Sequence, residues 1–365
     1  MQARLAVLGA TGSIGRQALE VARAHSDRLR LVALSCRSRT ADCEGLAGPG
    51  ARVVVAERDG EAAIVDLARA SDVDLVVIGI PGIAALRPTL AALEAGKAVA
   101  IATKEVLVVG GHLVRGLVPE GAGVRLRPID SEHCALWQCL RGEDIADVAS
   151  VTLTASGGPF REVPLGELRR VTIADALHHP TWRMGPKVTI DSATLANKGF
   201  EVVEAHWLFG LPYEKVRAAL HPQSLVHALV SFVDGGVKAQ LAEPDMRLPI
   251  QYALLSGERL PSAAPAFELP RALEFAAIDA ARYPCFGLVL EAARRGPASL
   301  IAVNAADEVA VERFLHGEIP FTGIAELLER ALAIAAGASL RDPDVDEVIA
   351  FDAEVRRRLA AVPVA

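Results

Sequence analysis

The chain has few cysteines, few aromatic residues and no long apolar run. Its five cysteines form no CxxC pair and leave one without a partner, which favours a reducing, cytoplasmic compartment. The longest apolar runs, such as 75–80, are far shorter than the roughly 20 residues that a membrane span needs. The chain enters a strand-like segment at residue 4. We therefore expect no membrane anchor and no signal or transit peptide.

Lysine and asparagine are also scarce. Only six of the 38 basic residues are lysine, and asparagine occurs only at positions 197 and 304. A lysine is a compact cation and differs in geometry from the arginine fork, so a retained lysine suggests that its shape is needed. Asn197 and Lys198 are adjacent, which marks that segment as a candidate site unless the adjacency is chance.

The overall composition is that of a folded, mildly acidic protein. With 52% hydrophobic and 23% charged residues, it excludes a disordered chain or a coiled coil. The net charge of −7 argues against nucleic acid as the main partner. A length of 365 residues predicts two or three domains.

Short apolar runs alternate with helical segments over the first third of the chain. This alternation predicts a doubly wound, Rossmann-like parallel sheet that extends to about residue 128, with one helix over 88–94. The predicted strands are 4–8, 31–35, 52–55, 75–80 and 98–102.

The middle and end of the chain have other patterns. Residues 151–154 resemble a strand, and 195–209 have helical periodicity. Residues 224–232 and 237–241 flank Asp234-Gly235-Gly236, a hairpin signal. We predict an α/β protein with four segments: an N-terminal domain (1–128), an α+β middle domain (129–261) with a loop at about 178–187, a linker (262–283) and a small helical C-terminal domain (284–365).

A glycine-rich turn, Gly9-Ala10-Thr11-Gly12-Ser13-Ile14-Gly15, joins the first strand to the first helix. Glycines there let the backbone approach a pyrophosphate at the helix N-terminus, so dinucleotide binding is predicted, with a structural tight turn as the alternative. The second strand ends in Arg37, Ser38 and Arg39, with no acid for a ribose 2′-hydroxyl. This favours NADP(H), unless both arginines are merely solvated.

Asp130 and Glu132 are candidate metal ligands. In an extended chain residues i and i+2 face the same way, so both carboxylates are expected to point to one position. Two carboxylates suit a hard divalent cation such as Mg²⁺ or Mn²⁺. Paired acids also occur in solvated loops, which is the alternative.

A second segment combines a predicted helix N-terminus with Ser192, Asn197 and Lys198, which together suit a phosphate group. Ser192 or Thr194 is expected to cap this helix. Glu201 lies on the same helical face as Asn197 and Lys198, where it offers a third carboxylate to the metal. A capped surface helix with an ion pair is the alternative. Further predicted anion donors are Ser156, Gly157, Gly158 and His179.

Trp182 and Met184 lie in a loop that ends in the hinge signal Gly185-Pro186. We predict that this loop is a lid over a ligand, the alternative being that Trp182 fills a core. His227 lies in a predicted strand and is interpreted as a core histidine. The cysteines are interpreted as small buried hydrophobic residues.

Together these segments resemble the 1-deoxy-D-xylulose 5-phosphate reductoisomerase family of the non-mevalonate isoprenoid pathway. The resemblance covers nearly the whole chain, and several motifs in order are more specific than any single one. In chain order the motifs are Gly9 to Gly15, Thr103-Lys104-Glu105, Asp130-Ser131-Glu132-His133, Thr154 to Phe160, His179 to Gly185, Asp191 to Glu201, His221 to Ser224, Pro244 to Arg247 and Asn304 to Glu308.

The resemblance implies two cofactors, NADPH and a divalent metal ion (Mg²⁺, Mn²⁺ or Co²⁺), and a homodimeric enzyme. The implied cofactor-binding residues are Gly9, Thr11, Gly12, Ser13, Ile14, Arg37, Ser38, Arg39, Thr103, Glu105 and Gly185. The implied metal ligands are Asp130, Glu132 and Glu201. The implied substrate-binding residues are Lys104, Ser131, Glu132, Ser156, His179, Trp182, Met184, Ser192, Asn197, Lys198 and Glu201.

The implied reaction rearranges 1-deoxy-D-xylulose 5-phosphate by retro-aldol fragmentation and recombination, followed by reduction with NADPH to 2-C-methyl-D-erythritol 4-phosphate. Lys104, Glu132 and His179 are the implied catalytic residues; Lys104 is expected to stabilise oxyanion charge and Glu132 to move protons. Three other hypotheses stay open. They are a reductase for a simple aldehyde, a non-catalytic NADP(H)-sensing module, and a reductoisomerase with a changed substrate.

Five segments depart from the pattern of the family that the chain resembles. Thr103, Cys134 and Asp307 stand where asparagine is usual, and Arg183 replaces a small residue in the lid loop. The Arg37 to Arg39 turn replaces a Gly-Lys-Asn type turn. We expect these departures to affect the affinity for the cofactor more than the activity, because the residues implied for chemistry are present.

Overall fold

Continuous apolar runs form the first sheet, because helices cover both of its faces and bury side chains on both sides. The structure is a computed structural model that describes residues 2–121, 123, 125–269 and 272–363. The strands of this sheet are β1 (Ala3–Leu8), β2 (Leu29–Cys36), β3 (Arg52–Val55), β4 (Leu75–Ile78), β5 (Ala98–Ile101) and β6 (Leu126–Pro128). They pair in parallel in the order β3-β2-β1-β4-β5-β6, so the chain reverses its direction of growth between β1 and β4. Ligands of such sheets bind at this switch point, beyond the carboxyl ends of the strands.

Six α-helices and one 3₁₀-helix connect these strands. They are α1 (Ser13–Ala24), α2 (Thr40–Leu46), α3 (Ala56–Asp59), α4 (Glu61–Ala68), the 3₁₀-helix Gly82–Ala85, α5 (Leu86–Glu94) and α6 (Glu105–Leu117). The predicted doubly wound sheet is confirmed. Helix α5 begins two residues before Pro88, because the first turn of a helix tolerates a proline without an amide donor.

The second sheet has mixed pairing and four strands. They are β7 (Val148–Ala155), β8 (Val216–Leu220), β9 (Val226–Phe232) and β10 (Val237–Leu241). Their order is β10-β9-β7-β8, with β7 and β8 parallel and the other pairs antiparallel. Gly235 has a φ of +88° in the turn between β9 and β10, as the predicted hairpin requires.

Helices and 3₁₀-helices surround this sheet. They are α7 (Ser131–Leu140), the 3₁₀-helices Ile145–Asp147, Leu165–Arg170 and Tyr213–Lys215, α8 (Ile173–Ala176), α9 (Pro186–Thr194), α10 (Ala196–Phe209) and α11 (Arg247–Leu254). The predicted cap of α10 by Ser192 is wrong, because Ser192 lies inside α9. Leu195, with a φ of +56°, separates α9 from α10. Thr194 also lies in α9, and the N-cap of α10 is Leu195 without a side-chain cap, although Thr194 Oγ1 accepts from Ala196 N at 3.2 Å.

Four helices follow in the part of the chain that the structure describes after α11, as predicted from its final periodicity. They are α12 (Pro284–Arg295), α13 (Pro297–Leu315), α14 (Gly323–Ala335) and α15 (Val345–Ala360). Residues 1, 122, 124, 270, 271, 364 and 365 of the predicted segments lie outside the described residues. No helix among the described residues is long and apolar enough to cross a membrane. All five cysteines are buried and free, which confirms their interpretation as small buried side chains.

Two glycines allow a prediction about the first turn. A Cβ on Gly15 would lie 2.3 Å from the Gly9 carbonyl oxygen, whereas a Cβ on Gly45, in α2, would meet nothing within 4 Å. We expect Gly15→Ala to lower the free energy of unfolding by about 1–3 kcal/mol through overpacking. The matched variant Gly45→Ala should raise it by up to about 1 kcal/mol. Urea unfolding measures both, and equal effects of the two substitutions would contradict the close-approach interpretation.

Candidate active site

A cavity of about 390 Å³ lies at the carboxyl end of the first sheet, next to the switch point between β1 and β4. Residues from both sheets and from the loop before α9 line it, and they include most of the predicted site residues. Those are Gly12, Ser13, Ile14, Lys104, Asp130, Ser131, Glu132, Ser156, Trp182, Met184, Gly185, Ser192, Asn197, Lys198 and Glu201. A larger cavity of about 910 Å³ is lined by segments between residues 158 and 180 and contains none of the clustered carboxylates described below.

The glycine turn opens the N-terminus of α1 towards this cavity. Gly9 has a φ of +85°, and a Cβ there would lie 2.5 Å from the Gly79 carbonyl oxygen, so only glycine fits. Gly12 precedes the helix and no side chain caps it. The first amides of α1, on Ser13 and Ile14, are therefore available to an anion, which fits a dinucleotide pyrophosphate.

The other predicted cofactor residues lie in three places. Arg37 has an 89% exposed side chain whose Nε is 3.5 Å from Glu57 Oε1, while Arg39 forms an ion pair with Asp42. Thr103 Oγ1 donates to the Ile80 carbonyl oxygen at 2.6 Å. Gly185 belongs to the lining of the cavity. Seven other predicted cofactor residues lie outside that lining, namely Gly9, Thr11, Arg37, Ser38, Arg39, Thr103 and Glu105.

Three carboxylates converge on one point of the cavity. Ligand atoms of Asp130, Glu132 and Glu201 lie within 4.8 Å of one another, as expected for a metal site. The predicted extended geometry is wrong, however. Asp130 is the N-cap of α7, and its Oδ1 accepts from Glu132 N at 3.2 Å. Glu132 therefore lies in the first helical turn, and Glu201 reaches the same point from α10.

Two lysines partly neutralise this acidic cluster. Lys104 Nζ lies 2.7 Å from Asp130 Oδ2 and 3.1 Å from Glu201 Oε1. Lys198 Nζ contacts Glu201 Oε2 and lies 3.6 Å from Glu132 Oε2. Asn197 Nδ2 also donates to Glu201 Oε1. The spacing of 197, 198 and 201 on one helix thus places all three side chains together, as predicted.

Burial and neighbouring charges shift the pKa of these groups, in opposite directions for Lys104 and Asp130 and in the same direction for Glu201. Burial lowers the pKa of Lys104, but Asp130 and Glu201 outweigh it and hold that pKa well above its ordinary value. Burial raises the pKa of Asp130, yet Lys104 and His133 bring it well below its usual range. Burial and then Asp130 raise the pKa of Glu201. The cluster thus carries excess negative charge, which a divalent cation would compensate.

A group of neutral donors lies beside the carboxylates. His179 Nε2 lies 3.0 Å from both Ser156 Oγ and Ser192 Oγ, and its Nδ1 accepts from Thr181 N at 3.2 Å and Trp182 N at 2.9 Å. This pattern assigns the proton to Nε2. Burial lowers the pKa of His179 to about 4, so the ring is neutral at pH 7. The two hydroxyls and the Nε2 donor can together bind the oxygens of a phosphate group.

The loop before α9 covers part of the cavity, in agreement with the placement of the predicted lid. Trp182, Arg183 and Met184 line the cavity, and the Trp182 ring lies 6.1 Å from the His227 ring. Gly185 is the N-cap of α9 and Pro186 its first residue. The loop therefore ends at a rigid helix start.

His227 is misassigned by the sequence pattern. It is buried, but its Nδ1 lies 3.3 Å from Glu132 Oε1, so it belongs to the site rather than to an apolar core. Its neighbours Val226 and Ala228 are also buried. Because both faces of β9 are covered, alternation along the strand does not distinguish a site residue from a core residue.

His133 and Glu204 are two further site residues that sequence reasoning missed. His133 Nδ1 lies 3.0 Å from Asp130 Oδ1 and 3.3 Å from Glu204 Oε2, and its Nε2 lies 2.8 Å from the Glu201 carbonyl oxygen. Burial lowers the pKa of His133, but Glu204 and Asp130 raise it to about 9. Burial raises the pKa of Glu204 to about 8. The helical i, i+3 spacings from Asp130 and from Glu201 were the available signal.

Comparisons with known proteins identify the family to which the chain is similar. A family model described as 1-deoxy-D-xylulose 5-phosphate reductoisomerase matches residues 5–48 and 46–111. Models of two C-terminal domains of that reductoisomerase match 126–209 and 241–358. A 1-deoxy-D-xylulose 5-phosphate reductoisomerase from Geobacillus kaustophilus (strain HTA426) is 47% identical, over 96% of this chain and 97% of the relative. One from Thermomicrobium roseum is 48% identical, over 91% and 90%.

Solved structures give the same result. A crystal structure of DOX-P reductoisomerase in complex with NADPH, fosmidomycin and magnesium has a TM-score of 0.89 and 34% identity, and covers 99% of this chain and 98% of that one. The reductoisomerase from Zymomonas mobilis in complex with NADPH also has a TM-score of 0.89, at 36% identity, and covers 99% of both chains.

Proposed function

The chain belongs to the 1-deoxy-D-xylulose 5-phosphate reductoisomerase family, and on this premise we propose that the cavity described above is its active site. The enzyme converts 1-deoxy-D-xylulose 5-phosphate to 2-C-methyl-D-erythritol 4-phosphate with NADPH and a divalent metal ion. One observation carries the assignment of the site. Asp130, Glu132 and Glu201 converge beside Lys104 at the end of the sheet that binds the dinucleotide.

NADPH fits the open turn between β1 and α1. Gly12, Ser13 and Ile14 present the uncapped N-terminus of α1 to the pyrophosphate. At the end of β2, Arg37 is the more available cation for the 2′-phosphate, because its side chain is more exposed than that of Arg39 and its contact with Glu57, at 3.5 Å, is long. Gly9, Thr11, Ser38, Thr103, Glu105 and Gly185 complete the proposed cofactor set.

A prediction about Arg37 tests this cofactor assignment. Arg37→Ala should raise KM for NADPH about tenfold and leave KM for NADH unchanged, because only NADPH carries the 2′-phosphate and a hydrogen bond to a charged group is worth roughly 1.5–3 kcal/mol. Arg30→Ala, at the exposed start of the same strand, is the matched control. Steady-state kinetics with both cofactors measures the change. Equal effects on NADPH and NADH would exclude Arg37 as the 2′-phosphate contact.

The metal ion is assigned to Asp130, Glu132 and Glu201. These three carboxylates are the donor type that Mg²⁺ and Mn²⁺ prefer, and their excess negative charge fits a divalent cation. When bound, the ion acts as a Lewis acid that polarises and aligns neighbouring substrate oxygens. The residues therefore fit the cofactor that the family uses.

The substrate is proposed to lie between the phosphate donors and Lys104. Ser156, His179 and Ser192 bind the phosphate as neutral donors, and Asn197 and Lys198, which line the same cavity, complete the proposed substrate set. Lys104 places a positive charge where oxyanion character develops, and Ser131 also lines the cavity. Glu132, hydrogen-bonded by Ser131 at 3.1 Å and by His227, is the proposed proton carrier.

Remote binding of the phosphate is proposed to order the loop over the cavity. Segment 178–187, which carries Trp182 and Met184, closes as a lid, so that binding energy from the phosphate aligns the reacting end and excludes water. The proposed domain boundaries are 128/129, 261/262 and 283/284.

Two further assignments concern the enzyme as a whole. A homodimer is supported by the edge strand β10 and the turn before it, where Val237 and Val233 are 58% and 68% exposed. Exposed apolar side chains at an unpaired strand edge are a typical interface for a second copy. A cytoplasmic location is supported by the five free, buried cysteines.

The test of the proposed function is NADPH oxidation with 1-deoxy-D-xylulose 5-phosphate, followed by the loss of NADPH absorbance. Turnover with Mn²⁺ or Mg²⁺ that stops in EDTA is the expected result. Turnover that persists in EDTA would indicate a reductase of the simple aldehyde type. A folded, NADPH-binding sample without turnover would mean that the substrate is different.

A further inference from the structure

A second buried ionic network lies behind the lid loop. Lys187, in the first turn of α9, donates to Asp191 Oδ2 at 2.6 Å and to Asp307 Oδ2 at 2.7 Å, and its Nζ lies 3.7 Å from Glu105 Oε1. We call these four residues the Lys187 network. It joins three parts of the chain, because Glu105 begins α6, Lys187 and Asp191 lie on α9, and Asp307 lies on α13.

Lys187 is the hydrogen-bond donor on which both aspartates depend. Asp191 Oδ2 and Asp307 Oδ2 bond to Lys187, while the Oδ1 atoms of both are buried without a hydrogen-bond partner among the described residues. Both side chains are buried. Removing the lysine would leave two buried carboxylates facing each other without a donor, which is strongly unfavourable.

The network is also connected to the substrate side of the molecule. Asp191 directly precedes Ser192, whose Oγ lies 3.0 Å from His179 Nε2. Lys187 Nζ lies 5.6 Å from the centre of the Phe200 ring, on the helix that carries Glu201. The position and rotation of α9 therefore determine where the Ser192 hydroxyl points, and Lys187 is the side chain that fixes α9 to its neighbours.

We propose that Lys187 is a positioning residue for substrate phosphate: it fixes α9 between α6 and α13 so that Ser192 and the end of the lid loop are correctly placed. The proposal rests on the assignment of the phosphate to Ser156, His179 and Ser192. It assigns Lys187 no contact with substrate. Loss of Lys187 should therefore weaken phosphate binding much more than it lowers kcat.

The test compares Lys187→Met with wild type, using inorganic phosphate as a probe and tryptophan fluorescence as the signal. We expect Kd for phosphate and KM for 1-deoxy-D-xylulose 5-phosphate to rise together, by about tenfold, with kcat changed less than about threefold. Lys187→Arg, which keeps the charge, should recover part of the loss. Lys215→Met, which removes a partly buried lysine far from the cavity, is the matched control.

A second variant covers the case in which Lys187→Met does not fold. Asp191→Asn keeps the shape and an acceptor oxygen for Lys187 but removes the charge with which Lys187 pairs on α9, so Kd for phosphate should rise about threefold. A folded variant of either kind with unchanged phosphate Kd and unchanged KM would overturn the proposal. Phosphate binding needs no turnover, so failure of this proposal is distinct from inactivity of wild type with the substrate.

Discussion

Replacing Lys104 by alanine should lower kcat by about 10²-fold or more, because one preorganised electrostatic donor is worth roughly 3 kcal/mol at a site of developing charge. The physical basis is the position of Nζ, which lies within 3.1 Å of both Asp130 and Glu201 and is almost fully buried. Those two carboxylates hold the pKa of Lys104 well above its ordinary value, so the ammonium charge is permanent over the working pH range. The measurement is steady-state NADPH oxidation at saturating substrate and metal.

The controls for this prediction separate catalysis from folding. Lys97→Ala removes a lysine of the same domain that does not line the cavity, and it should leave kcat unchanged. Lys104→Met keeps most of the side-chain volume and should lose as much activity as Lys104→Ala. If either Lys104 variant is folded, binds NADPH and keeps a kcat within about threefold of wild type, Lys104 has no role in stabilising the transition state.

Replacing Glu201 by glutamine should weaken binding of the divalent metal by about 10²-fold or more. The change is isosteric but removes one of three carboxylate charges, and a unit charge about 4 Å away contributes roughly 4 kcal/mol at an effective dielectric of 20. Glu201 is fully buried and shares its oxygens with Lys104 and Lys198, so its charge is poorly screened by solvent. Electron paramagnetic resonance of free Mn²⁺ during a titration gives the dissociation constant directly.

A matched control for this variant is Glu214→Gln, which removes an exposed carboxylate outside the cavity. It should not change the Mn²⁺ dissociation constant. Glu201→Gln should also need more metal for half-maximal activity, while its Kd for NADPH stays the same. A Glu201→Gln protein with wild-type affinity for Mn²⁺ would remove Glu201 from the metal site.

The fold class follows from local sequence patterns where those patterns have one structural solution. Apolar runs such as Leu75–Ile78 are short, β-branched and flanked by helical segments, and only a covered parallel sheet buries both faces of such a strand. The start of α9 shows the opposite case. Its sequence has no clear apolar face, and Gly185 and Pro186 at its start suggest a loop, but the segment is helical and packs against α10 and α13.

The sequence predicts which residues form the site better than it predicts how they are arranged. Asn197, Lys198 and Glu201 converge because a helix places these three positions on one side. The carboxylates of Asp130 and Glu132 lie close together, as predicted, but not because the chain is extended there. They lie together because Asp130 is the N-cap of α7 and Glu132 is in its first turn. His227 and the Lys187 network depend on contacts between distant parts of the chain, for which one sequence contains no local signal.

The most direct test of the proposed active site is anomalous diffraction from a crystal of the enzyme grown with Mn²⁺ and NADPH. Among the described residues, two groups of side chains can hold a cation, Asp130 with Glu132 and Glu201, and Asp130 with His133 and Glu204. We predict a manganese peak bounded by Asp130, Glu132 and Glu201, beside Lys104. A peak between His133 and Glu204, or one away from all of these carboxylates, would contradict the assignment of the metal and of the chemistry placed around it.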